Sequence, residues 1–132
     1  MVKSKIQNSK SKIGGLVASF GYAFAGLAYC FRTQRNFRIH ISIGLLGAVA
    51  GMLLGLSLIE WAVFAAMVVL VLAAEMVNTM IESLVDLVTQ QYHPLAKVAK
   101  DVAAGIVLLT AIGSVVVGLL IFLPKLLAVI RL

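Results

Sequence analysis

Three carboxylates and an amide stand inside one apolar run, in the stretch Ala74-Glu75-Met76-Val77-Asn78-Thr79-Met80-Ile81-Glu82-Ser83-Leu84-Val85-Asp86. Read as a helix at about 100° per residue, Glu75, Asn78, Glu82 and Asp86 fall within a stripe roughly 80° wide, with Thr79 at its edge. Ionisable groups at membrane depth are costly, face a protein interior or a wet cavity, and mark a functional path. The competing reading is a buried polar seam that only fixes helix register. Glu75 and Glu82 are about 10.5 Å apart along a helix axis, too far to share one small cation without long side-chain reach. Different tasks suit them. A carboxylate at the lipid boundary fits a general base, and one nearer the aqueous end fits Mg²⁺ held together with nucleotide phosphates. Lys100 and the cluster Arg32, Arg35 and Arg38 can offset phosphate charge, the main electrostatic need of phosphoryl transfer. Neither a Walker-type glycine loop nor a protein-kinase motif set occurs in the chain, so a nucleotide site here has to be unconventional.

The elements that must position these groups belong to a membrane. Of 132 residues, 62% are hydrophobic and only 12% charged, with a mean hydropathy of +1.10, which lies outside the composition of a soluble domain. The net charge of +6 does not point to nucleic acid, because the bases flank apolar segments and form no basic groove interleaved with aromatics. Anionic lipid headgroups or a nucleotide phosphate account for them better. Cys30 is the single cysteine, which excludes an intrachain disulfide and reads as a packed thiol. Lys3, Lys5, Lys10 and Lys12 precede no apolar core with a cleavage site, so the N-terminus is expected to be retained.

The pattern predicts an all-α integral membrane protein with an interfacial helix and three transmembrane helices. Residues 1–11, rich in Ser and Lys, read as a mobile basic tail. Residues 12–31 read as an amphipathic helix at the bilayer surface, anchored by Phe20, Tyr22, Phe24, Tyr29 and Phe31, with a short buried helix as the alternative. After a polar hinge over Arg32–His40, spanning helices are expected at 39–58, 61–88 and 95–123, the last ending before Pro124. Gly44, Gly47 and Gly51 permit close helix approach in the first span. The second span is about 42 Å long, against a hydrocarbon core of roughly 30 Å. Counted from Trp61, Glu75 lies about 21 Å along and Glu82 about 32 Å, so the acid face straddles an interface. Lysine and arginine cluster before the first span and at Lys97 and Lys100, and are absent from Gly55–Glu60. The positive-inside rule then puts the N-terminus and the acid face in the cytoplasm.

The acid stretch also resembles the signature of the prokaryotic diacylglycerol kinase family, small membrane lipid kinases of the bacterial cell membrane that include undecaprenol kinases. The resemblance extends to Gly21-Tyr22 with Gly26-Leu27, to Asn36-Phe37-Arg38 with His40, and to Tyr92-His93 followed by Ala99-Lys100-Asp101. It covers roughly residues 15–122. What it implies is a homotrimeric bundle with active sites shared between subunits, using Mg²⁺ and ATP as donor to a lipid hydroxyl. By position it gives Glu75 the role of general base and Glu82 that of metal ligand, with Asn78 and Asp86 in support. Tyr22, Gln34, Gln91, Tyr92, His93, Lys100 and Asp101 would contact or organise the nucleotide together with Glu82. Three of these have plainer readings: His93 before Pro94 as the cap of a turn, Asp101 as an i,i+4 partner of Lys97, and Tyr22 as an interfacial anchor. Where many relatives carry a hinge glutamate this chain has Gln34, which can coordinate through its amide oxygen but brings no charge.

Two functions remain open on these residues. The first is an ATP-dependent lipid kinase acting on undecaprenol or diacylglycerol, with the polyprenol favoured because Arg35-Asn36-Phe37-Arg38-Ile39-His40 resembles the polyprenol-kinase branch. The second is a small oligomeric proton or cation pathway using the acid stripe. A conducting path wants polar groups through both leaflets, whereas Trp61–Ala74 is apolar throughout.

Overall fold

A computed structural model describes residues 2–130, with side chains described from Gly15 onward. The described residues form four helices and no strand: α1 (Val2–Thr33), α2 (Arg35–Leu54), α3 (Leu58–Val88) and α4 (Pro94–Ile130). The chain divides after Gln34 into an N-terminal unit and an α2–α4 unit.

In the N-terminal unit, α1 is continuous through Gly21 and Gly26, since an isolated glycine costs a helix only about 1 kcal/mol relative to alanine. Its helical backbone takes in most of the stretch read as a tail, whose lysines Lys3, Lys5, Lys10 and Lys12 lie outside the described side chains. Phe20, Tyr22, Phe24, Tyr29 and Phe31 are exposed along it. The Gln34 amide donates to Cys30 O at 2.8 Å. Among the described residues Gln34 is the one non-helical residue before α2, so the expected hinge over Arg32–His40 is a single residue.

In the second unit, α3 makes its main contacts with α4, and α2 rests chiefly on α3. Each of the three helices is long and apolar enough to cross a membrane. The described core is thin: Phe37, Leu56, Val71, Ala74, Ala103 and Ile121 are buried, while Leu45, Leu46, Leu53, Leu108, Leu109 and Leu120 face outward. In water so much apolar surface would be a liability. In a bilayer, or against further copies, it is what a spanning helix needs.

The glycines of α2 set its distance from α3. A Cβ added at Gly47 would lie 2.8 Å from the Phe64 ring, and one at Gly44 would lie 3.3 Å from Val68. Phe64 also sits edge-on to Trp61 at 5.8 Å and to Phe122 of α4 at 5.9 Å, so one aromatic series ties the three helices together.

Local chemistry explains each boundary that differs from expectation. α2 ends at Leu54, earlier than 58, because Gly55 adopts φ 66° and Leu56 N–H returns to Gly51 O at 3.0 Å, the long bond of a Schellman motif. α3 begins three residues before Trp61 because Ser57 and Glu60 form a reciprocal capping box: Ser57 N–H donates to Glu60 Oε2 at 2.7 Å, and Glu60 N–H to Ser57 Oγ at 3.3 Å. Lys125 closes the same corner, pairing with Glu60 at 3.0 Å and donating to Gly55 O at 3.1 Å. α4 runs through Pro124 to Ile130. Proline removes one backbone bond there, a loss that membrane helices accommodate when local geometry or neighbours satisfy the freed carbonyl.

Candidate functional site

The acid stripe of α3 turns inward at its first member. Glu75 is 2% exposed and Thr79 4%, because both follow Val71 and Ala74 on the face packed against the other helices. Thr79 and Ser83 return their hydroxyls to the carbonyls one turn earlier, at 2.9 and 2.8 Å, and so cost the helix no unpaired donors. Asn78 Nδ2 donates to Glu82 Oε1 at 3.1 Å, joining two members of the stripe one turn apart. Among the described residues two buried side-chain acceptors remain without a hydrogen bond: Glu75 Oε1 and Asn78 Oδ1. Both residues line a recess of about 400 Å³ whose other walls include Asn36, Ile39 and His40 of α2 and Ala104, Val107, Leu108 and Ala111 of α4.

His40, which the sequence marks only as part of the hinge motif, is the group that approaches Glu75. Its Nε2 lies 3.5 Å from Glu75 Oε1, with the histidine 22% exposed and the glutamate 2%. The pairing joins α2 to α3 across 35 residues, and only its presence in the hinge motif marked it in advance.

Farther along α3, a second recess of about 420 Å³ gathers Asp86, Gln91, Tyr92, His93, Lys97, Lys100 and Asp101. Five expected nucleotide contacts therefore converge there with Asp86. The fold explains how. Thr89 closes α3, its amide returning to Val85 O at 2.9 Å, and its hydroxyl accepts from the Gln91 amide at 3.2 Å. His93 then caps α4: its Nδ1 accepts from Leu95 N–H at 3.2 Å, with Pro94 at the first helical position where its missing N–H costs nothing. Lys100 pairs with Asp86 at 2.6 Å, crossing from α4 to α3. Asp101 pairs with Lys97 on an exposed helix surface. The plainer roles foreseen for His93 and Asp101 are thus both present, and they leave His93 Nε2 free of the capping bond.

Along α3 the two recesses are about two turns apart, with half-buried Glu82 between them. Tyr22 and Gln34 belong to the N-terminal unit, where Tyr22 is exposed. Among the described residues no three His, Cys, Asp or Glu side chains converge as a metal site. Magnesium does not require such a cage, since it keeps several waters and takes one or two carboxylates plus substrate phosphates. The oxygen donors present, Glu82 and the unsatisfied Asn78 Oδ1, fit that pattern.

Comparison with known proteins bears on this geometry. The profile of the family described as prokaryotic diacylglycerol kinase matches residues 21–122. A protein named diacylglycerol kinase from Synechocystis sp. is 54% identical over 114 residues, covering 86% of this chain and 65% of that protein. A protein named undecaprenol kinase from Bacillus subtilis is 41% identical over 120 residues, covering 91% of this chain and 98% of that protein. A diacylglycerol kinase from Escherichia coli K12 is 28% identical over 109 residues, covering 83% and 89%. The chain spans about two thirds of the Synechocystis relative and nearly all of the Bacillus one.

Proposed function

The chain belongs to the prokaryotic diacylglycerol kinase family of lipid kinases, and from that premise we propose that it transfers the γ-phosphate of ATP to the hydroxyl of undecaprenol or diacylglycerol at the cytoplasmic edge of a bacterial membrane. The observation that carries this reading is a buried carboxylate with an unpartnered oxygen, Glu75, on the same helix as a polar recess containing Lys100. The family takes the place of the ion-pathway alternative, which nothing in the apolar Trp61–Ala74 half of α3 supports.

In the proposed reaction the lipid hydroxyl enters the Glu75 recess while its hydrocarbon stays in the bilayer. Glu75 accepts the hydroxyl proton as the lipid oxygen bonds to Pγ and the bond from Pγ to the β-phosphate bridging oxygen breaks, leaving ADP. The recess has few polar neighbours to solvate the carboxylate, so a hydroxyl is its natural hydrogen-bond donor. Lys100 supplies positive charge to the phosphates, exchanging its bond to Asp86 for one to the nucleotide. Tyr92, Gln91, His93 and Asp101 orient the nucleotide in the second recess. Mg²⁺, when bound, neutralises charge on the transferring phosphates; Glu82 and Asn78 would hold it, with Gln34 as a further oxygen donor. The active protein is proposed to be a homotrimer with shared sites, which would also cover part of the outward apolar surface.

Transfer of label from γ-labelled ATP to each lipid, by purified protein in mixed micelles, tests the reading. Phosphorylation of undecaprenol ahead of diacylglycerol is expected from the Arg35–His40 motif. The reverse order would assign the chain to the diacylglycerol branch, and transfer to neither would refute the reading.

A further inference from the structure

We propose that His40 is the positioning residue for the Glu75 carboxylate. The inference rests on the reading of Glu75 as base. A glutamate in a recess of about 400 Å³ has room to change rotamer, and a base must hold its oxygen within hydrogen-bond reach of one hydroxyl. The nearby polar groups of α3 are committed elsewhere: the Thr79 hydroxyl bonds to Glu75 O at 2.9 Å, and Asn78 Nδ2 to Glu82 at 3.1 Å. His40 Nε2 approaches Oε1 from α2, at 3.5 Å. A closure of about 0.5 Å converts that approach into a hydrogen bond, and such bonds commonly tighten only when substrate is present. A neutral imidazole protonated on Nε2 donates to the carboxylate and withdraws neither charge nor oxygen from the reaction, because the second lone pair of Oε1 stays available to the lipid hydroxyl.

Packing fixes the distance at which His40 stands. The ring lines the acid recess on one side and, on the other, an apolar cleft of about 220 Å³ with Gly44, Gly47, Val68 and Ile121. One turn after His40, Gly44 lets α2 approach until Val68 fills the space above it. The glycine spacing of α2 therefore serves the base by setting how closely the imidazole reaches α3.

Steady-state kinetics of two variants test this. His40→Leu fills the space without a donor, and His40→Gln returns an N–H near the Nε2 position. His40→Leu is expected to lower kcat by about 10- to 100-fold, with KM for ATP and for lipid unchanged, and His40→Gln to recover most of the loss. Full kcat in His40→Leu, or equal losses in the two variants, would overturn the proposal, since a residue that only fills space is not rescued by an amide. Where His40→Leu does not assemble, His40→Asn replaces it, being too short to reach Oε1. Asn slow and Gln fast supports the proposal, and equal rates overturn it. Glu75→Gln, measured alongside, separates the two claims: its full activity removes the base and this proposal together, whereas its inactivity with His40→Leu at full rate removes only the role of His40.

Discussion

At the scale of the residue, the costly feature is the pair of buried acceptors, Glu75 Oε1 and Asn78 Oδ1, that no donor satisfies. A buried polar atom left without a partner costs about 1–3 kcal/mol, and such a cost persists where a ligand removes it. The spacing of Glu75, Asn78, Glu82 and Asp86 made the stripe legible from the sequence, because helical periodicity is local. His40 was not legible as a partner, since its meeting with Glu75 depends on how two helices pack. His93 shows how one side chain can carry a structural role that hides another. Asparagine is a strong cap, so His93→Asn should keep the start of α4 intact; loss of a neutral nucleotide hydrogen bond worth ~1 kcal/mol would then raise KM for ATP by about fivefold. An unchanged KM would leave His93 with the cap alone. Gln34→Glu should lower the Mg²⁺ concentration for half-maximal rate by roughly three- to tenfold by adding a charged oxygen. No change in that titration would put position 34 outside the metal site.

At the scale of the element, three of the six helix ends at the connections can be traced to short sequence features. Ser57-x-x-Glu60 makes the start of α3, Gly55 the end of α2, and His93-Pro94 the start of α4. The first was readable in the sequence as a capping box, and the expected start at Trp61 overlooked it in favour of the aromatic. Pro124 misled for a different reason: a proline usually stops a helix, but a membrane raises the cost of the frayed backbone that would follow. The α2–α3 contact is the element on which the site most depends. Gly47→Leu should force Phe64 from its place between Trp61 and Phe122, an overpacking worth about 1–3 kcal/mol. Thermal unfolding in detergent would show it as a lowered midpoint, and an unchanged midpoint would mean that α2 yields without cost.

At the scale of the whole molecule, a thin core and extensive outward apolar surface fit a protein completed by lipid and by further copies of itself. Native mass measurement in mild detergent is expected to find three copies, and a fully active monomer would contradict the shared sites. Composition and hydropathy made the membrane class and three spans readable in advance, whereas assembly depends on surfaces that no periodicity identifies. The central claim is that Glu75 removes the proton from the lipid hydroxyl, and it is tested most directly by phosphate transfer with Glu75→Gln at saturating Mg-ATP and lipid. The account predicts kcat reduced by about 10²- to 10⁴-fold with ATP still bound. Transfer at the wild-type rate would contradict it.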